Sequence, residues 1–253
     1  MLDLAVAVSD PSVVLHQYRL VETHAWWLGT FGAHQFLAEH RLRQWVPAHP
    51  ELEWVLDREL TGARTWLTGS AEGATADGFD PRDVAPTGRF RARYGEFDSQ
   101  RVEPASCAVR RRPPRGSWRS PTTGFFERLP RDPHALLAEL RADNRGSWFT
   151  PFAAAVTALR TGLVPAELRA AFYRALTGLP GVTVAEHVYT IDGHECLALV
   201  HDVGRTRTEL MIDPEHGQFA GERDTLRADS RCGLRAGTVI SSTAVTVSVT
   251  DGP

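Results

Sequence analysis

Acid–base chemistry needs a carboxylate, an imidazole and a guanidinium close together, and two neighbouring stretches supply them. "ETHAWWLGT" (22–30) carries Glu22 and His24, and "LAEHRLRQW" (37–45) carries Glu39, Arg41 and Arg43. If the chain turns near Phe31-Gly32, antiparallel pairing sets Glu22 opposite Arg41 and His24 opposite Glu39, on one face with Tyr18, Leu20 and Trp26. A carboxylate or imidazole there can take a proton from an amine, with Glu22, His24 and Glu39 as candidates, while a guanidinium stabilises a departing anion. Arg41 is read as sharing the Glu22 face and Arg43 as lying nearby. The same residues also suit ordinary cross-strand charge pairing, worth about 0.2–1 kcal/mol a pair, and a one-residue slip in register would move every partner.

Other residue types narrow the chemistry. All 28 basic residues are arginine. The absence of lysine excludes Schiff-base catalysis and a Walker-type phosphate loop. Cys107, Cys196 and Cys232 are widely spaced and form no CxxC pair, which argues against a disulfide framework and a thiolate zinc site. The ten histidines form no HxH or HExxH pattern, so neither a metal nor an organic cofactor is expected. Ser241 and Ser242 lie in a β-forming run without a nucleophile-elbow pattern. Trp26, Trp45 and Trp54 fall in three neighbouring predicted strands, where they either line a substrate cleft with Arg43 or fill a core.

A second charged feature is "CAVRRRPPRGSWRSP" (107–121), with Arg110, Arg111, Arg112, Arg115, Arg119 and no acid. The chain as a whole has a net charge of −3 and no recognised nucleic-acid motif, so nucleic acid is not the expected partner. Pro113 and Pro114 forbid the amphipathic helix that membrane recruitment would use. A solvated loop, an acidic partner protein and an anionic substrate remain. Proline stiffening lowers the entropy lost on docking and favours recognition.

The elements that must position these residues read as strands, then helices, then strands. Residues 12–28, 35–48 and 51–62 have strand character, with short candidates at 64–68 and 89–94 in a loop-rich stretch that reaches residue 106. Asp132-Pro133, Thr150-Pro151 and Pro165 open three helices within 132–178. Residues 181–250 return to strands, with turns at Asp192-Gly193, Gly204 and Asp213–Gly217. This order predicts one α+β domain over 1–253, a curved antiparallel sheet with helices on one face. "MLDLAVAVSDPSVV" has neither the basic start of a signal peptide nor the length of a membrane span, and a soluble cytoplasmic protein is expected.

Three segments together carry a resemblance: "ETHAWWLGT" with "RQWVPAH", "LPRDPHALLAELRA" with "PAELRAAFYRALTGLPGVTV", and "ELMIDPEHGQFAGE" with "AGTVISSTAV". They resemble a family of actinobacterial proteins whose extracytoplasmic domain is similar to the lipoprotein-carrier fold, a half-open barrel with helices on its concave side. Typical members have a charged leader and a membrane helix before the first strand, and Arg-Glu where this chain has His24-Ala25. The lysine-free composition and arginine cluster also make the chain look like the soluble cyclases of azinomycin- and ficellomycin-type antibiotic biosynthesis. That resemblance implies closure of an aziridine by amine displacement of sulfate. The substrate would ride on an acidic amino-group carrier protein, with a sulfotransferase as companion. The alternative implied by the wider family is a non-catalytic ligand-binding or sensor module of a membrane-anchored regulatory protein.

Overall fold

Three long strands open the chain, each built from β-branched and aromatic residues: β1 (Tyr18–Phe31), β2 (His34–Pro47) and β3 (Glu53–Thr68). The computed structural model describes residues 7–81, 86–97, 115–143 and 149–253. The first hairpin turns at Gly32-Ala33, since Phe31 pairs with His34. Gly32 takes a φ of 55° at the first central position, the pattern of a type II′ turn whose twist suits the strands it joins.

After α1 (Ala71–Ala76) and β4 (Gly88–Arg93) come α2 (Thr123–Arg128), α3 (Pro133–Asp143), α4 (Pro151–Arg160) and α5 (Ala166–Thr177). The chain ends in β5 (Val182–Tyr189), β6 (Glu195–Val203), β7 (Thr206–Ile212), β8 (Phe219–Leu226) and β9 (Val239–Thr250). The nine strands form a single antiparallel sheet in the order β4-β3-β2-β1-β9-β8-β7-β6-β5. Among the described residues no pairing joins β4 to β5, so the sheet is open.

The predicted helix starts hold. The Asp132 carboxylate accepts from the Ala135 amide at 2.8 Å, and the Thr150 hydroxyl accepts from Ala153 at 3.2 Å. Proline cannot cap α5 with a side chain, and Asp10 does so from a distance, accepting the Ala166 amide at 2.7 Å. Two short helices were not expected: α1 falls in the stretch read as loop, and α2 follows a Thr122 cap. β1 begins at Tyr18 rather than residue 12, and the 64–68 candidate is the far half of β3.

The helices cover one face of the sheet. Leu136, Leu140, Phe152, Leu159, Leu168, Phe172 and Leu176 pack there against Val21, Val46, Trp54, Leu199, Leu210 and Val245. On this side Arg160 pairs with the buried Glu222, and burial raises the Asp224 carboxyl above its ordinary range. A smaller apolar cluster, including Val188, Ala198, Met211 and Ala220, lies on the other face. Among the described residues, no helix is long and apolar enough to cross a membrane.

Candidate functional site

The face without the helix core carries three cross-strand rows at its centre. Thr246, Glu22, Arg43, Asp57 and Arg89 form the first, on β9, β1, β2, β3 and β4. Ala244, His24, Arg41 and Glu59 form the second, and Ser242, Trp26 and Glu39 the third. The observed register corrects the expected one by two residues: Glu22 faces Arg43 and His24 faces Arg41, because the turn centres one residue later than Phe31-Gly32. An even shift preserves the face, so the predicted residues still meet. Arg41 and Arg43 are two apart in a strand and both share the Glu22 face, which corrects the assignment of Arg41 alone.

His24 is the centre of the site. Its Nε2 lies 2.8 Å from Glu39 Oε1 along the diagonal of the pair, and its Nδ1 lies 2.6 Å from Asp192 Oδ1. With both carboxylates ionised, only an imidazolium donates from both nitrogens. Glu39 has further partners: Oε1 also accepts from Arg41 at 3.0 Å, and Oε2 accepts from the Thr61 hydroxyl at 2.6 Å. The Thr61 bond, with those from His24 and Arg41, holds the Glu39 carboxyl below its ordinary range against the opposing pull of burial. Glu39 therefore anchors the His24 ring through Nε2.

Two contributors escaped the sequence reading. Thr61 arrives through a β3 irregularity: Ala38 pairs with Arg64 and His40 with Leu60, so residues 61–63 bulge opposite Glu39. Gly62, at a φ of 88°, permits that excursion, and Thr61-Gly62 inside a strand pattern was the available signal. Asp192 comes from the β5–β6 turn, where the Gly193 amide donates to the Thr190 carbonyl at 3.0 Å and the His194 amide to the Thr190 hydroxyl at 3.2 Å. The turn is legible in the sequence as Asp-Gly, but its destination is not.

Asp192 is half exposed, whereas His24 and Glu39 are largely buried. Around them lies a cleft of about 420 Å³ lined by Glu22, His24, Arg41, Arg43, Glu59 and Asp192, among others. Arg41 and Arg43 present exposed guanidinium groups to it, Arg41 tied to Glu39 and Arg43 3.8 Å from Asp57. The arrangement anchors one imidazole at Nε2, sets Nδ1 against a half-exposed carboxylate, and places two cations beside it.

The tryptophans divide. Trp26 lies on the His24 face beside Glu39. Trp45 shares that face but is buried under Arg43 and Arg89, whose guanidinium carbons stand 5.7 and 5.5 Å from its ring centre. Trp54 belongs to the helix-side core and donates to the Pro50 carbonyl at 2.7 Å, so it does not line this cleft. Its neighbour Val55, not Trp54, pairs with Trp45, which turns Trp54 to the opposite face.

Arg110, Arg111, Arg112 and Cys107 lie outside the described residues. Arg115 and Arg119 are exposed near α2, where the Arg128 guanidinium donates to the Arg115 carbonyl and Arg119 stacks 5.1 Å from the Phe149 ring centre. Cys196 is buried, and its thiol is pushed up to about 11 by burial, with Asp213 and Glu195 adding to the shift, so it offers no thiolate at neutral pH. Comparison with protein families, curated proteins and solved structures gives no match for this chain.

Proposed function

We propose that the His24 cleft is a proton-transfer site for an anionic, amine-bearing substrate, and that the reaction is ring closure by internal displacement of sulfate. The supporting observation is the single anchored imidazole. Glu39 fixes Nε2 and is itself held by Arg41 and Thr61, so the more exchangeable contact is the one between Nδ1 and the half-exposed Asp192. A substrate amine that displaces Asp192, with the Nδ1 proton leaving on the Asp192 carboxylate, would meet Nδ1 of neutral His24. The amine nitrogen forms its bond to carbon as the carbon–oxygen bond to sulfate breaks, sulfate leaves with the electron pair, and the amine proton passes to Nδ1. Arg41 and Arg43 would receive the charge that grows on the departing sulfate. Glu22, opposite Arg43, would hold that guanidinium toward the cleft.

In this reading the curled sheet is a half-open barrel of lipoprotein-carrier kind, working on the face that the helix core leaves bare. The product is an aziridine in antibiotic biosynthesis, a sulfotransferase makes the sulfate ester, and an acidic carrier protein presents the substrate. The arginines of 107–121 would steer that carrier by charge, with an association that weakens as salt rises.

The test is sulfate release from the sulfated, carrier-bound amine, followed by mass spectrometry. His24→Gln is expected to slow release at least a hundredfold, in line with general-base contributions of about 10²–10⁴, and Glu39→Gln about tenfold, since Glu39 only orients the ring. Release no faster than in buffer would defeat the reading. The saturation of both His24 nitrogens favours a second reading, a non-catalytic ligand-binding module. Binding of the sulfated amine without release of sulfate would decide for it.

A further inference from the structure

β8 and β9 pair from Gly221↔Ala244 to Thr225↔Val239 and then part company. β9 continues to Thr250 with β1 on one side only, so among the described residues its other edge has no strand partner from Val245 onward. Every second residue of such an edge turns its N–H and C=O outward. At the last pair before the gap a Cβ on Gly221 would stand 2.1 Å from the Thr243 carbonyl oxygen, so glycine lets the two backbones close tightly there.

The gap is a cleft of about 560 Å³, within the range of ligand sites. Val245, Thr246 and Val247 form one wall, Gln218 and Ala220 the other, and Ser9–Pro11 lines it as well. That N-terminal segment is firmly held: buried Arg169 donates to Asp10 at 2.6 Å and to the Ser9 carbonyl at 2.7 Å, and the Ser9 amide donates to the His216 carbonyl at 3.1 Å. Thr246 is exposed and lines both this cleft and the one around His24. The β5–β6 turn also serves both, with His194 lining the first and Asp192 the second.

We infer that the split between β8 and β9 binds an extended, amide-bearing chain, laid as an added strand along Val245–Thr250 with one end at the His24 cleft. A strand edge with alternating donors and acceptors is matched by another extended backbone, and the neighbouring apolar walls suit alternate side chains. Six residues of edge span about 20 Å, enough for a peptide-like arm of four or five amides. The substrate of the proposed reaction would then be the terminal group of such an arm. Only that last step rests on the His24 reading; the binding mode does not.

The probe is an unreactive peptide, acetyl-Thr-Val-Thr-Val-Thr-amide, added to the full ¹⁵N-labelled chain. Binding should shift the amide resonances of Val245, Thr246 and Val247 and slow their hydrogen exchange at least tenfold. Two isomers with alternate backbone nitrogens methylated provide the control without altering the protein. The set that faces β9 should lose at least tenfold in affinity, and the other set should bind as well as the parent. Peptide binding of this pattern, in a protein that releases no sulfate, would uphold the split and defeat only the proposed reaction. No binding at millimolar peptide, shifts confined to other strands, or equal affinity for both methylated isomers would overturn the inference.

Discussion

At the scale of single residues, the site depends on what Glu39 is tied to. Its carboxyl is held low first by the Thr61 hydroxyl, then by His24 and Arg41. A folded value below the ordinary 4.5 means a contribution to stability that is complete above that pH and lost as acid protonates Glu39 below it. Thr61→Val removes the leading cause and leaves Glu39 with fewer donors. Its loss of stability on acidification should therefore be smaller, and complete at higher pH, than in the parent. Glu39→Gln should remove this component of the acid dependence altogether. Urea unfolding between pH 3 and 6 checks both, and superimposable profiles for parent and Thr61→Val would show that the hydroxyl does not set the carboxyl.

At the scale of elements, irregularities rather than regular strands make the site. The bulge in β3 delivers Thr61, and the divergence of β8 from β9 opens the second cleft. Gly221 is the vulnerable point of the latter, because the clash of an added Cβ is with backbone atoms of Thr243, which cannot rotate away. Gly221→Ala should cost about 1–3 kcal/mol, the range for forced overpacking, seen as a lower urea midpoint. Gly193→Ala, whose Cβ would meet nothing within 4 Å, should owe its smaller loss to the φ of 82° alone. Equal losses at the two positions would remove close approach as the explanation for Gly221.

At the scale of the whole molecule, the contact between Asp192 and His24 is a closure between distant parts of one sheet. β6 lies four places from β1 in strand order, about 19 Å away if the sheet were flat. A contact of 2.6 Å between the β5–β6 turn and β1 therefore requires the sheet to curl. Asp192→Ala should release the turn while leaving the sheet paired. Stability should fall by no more than about 1 kcal/mol, as expected for a half-exposed ion pair. Hydrogen exchange at residues 190–194 should rise, with β6 and β7 unchanged. Unaltered exchange in the turn would mean that backbone twist alone holds the curl.

Strand-helix-strand order, the helix starts at Asp132-Pro133 and Thr150-Pro151, and the turns at Asp192-Gly193, Gly204 and Asp213–Gly217 were legible in the sequence. Each depends on residues within a few positions of one another. The meeting of Glu22, His24, Glu39 and Arg41 was also legible, because side chains alternate across a strand and a two-residue error in register keeps the face. Partners further apart were not. Thr61 reaches Glu39 only because a bulge shifts one strand against the next, and Trp54 is assigned to the core by the pairing of Val55 with Trp45. Asp192 and His24 are separated by 168 positions, and nothing local to either marks the other. The curl of the sheet brings them together. That curl is a property of nine strands packed against their helices, and only the tertiary structure could decide it.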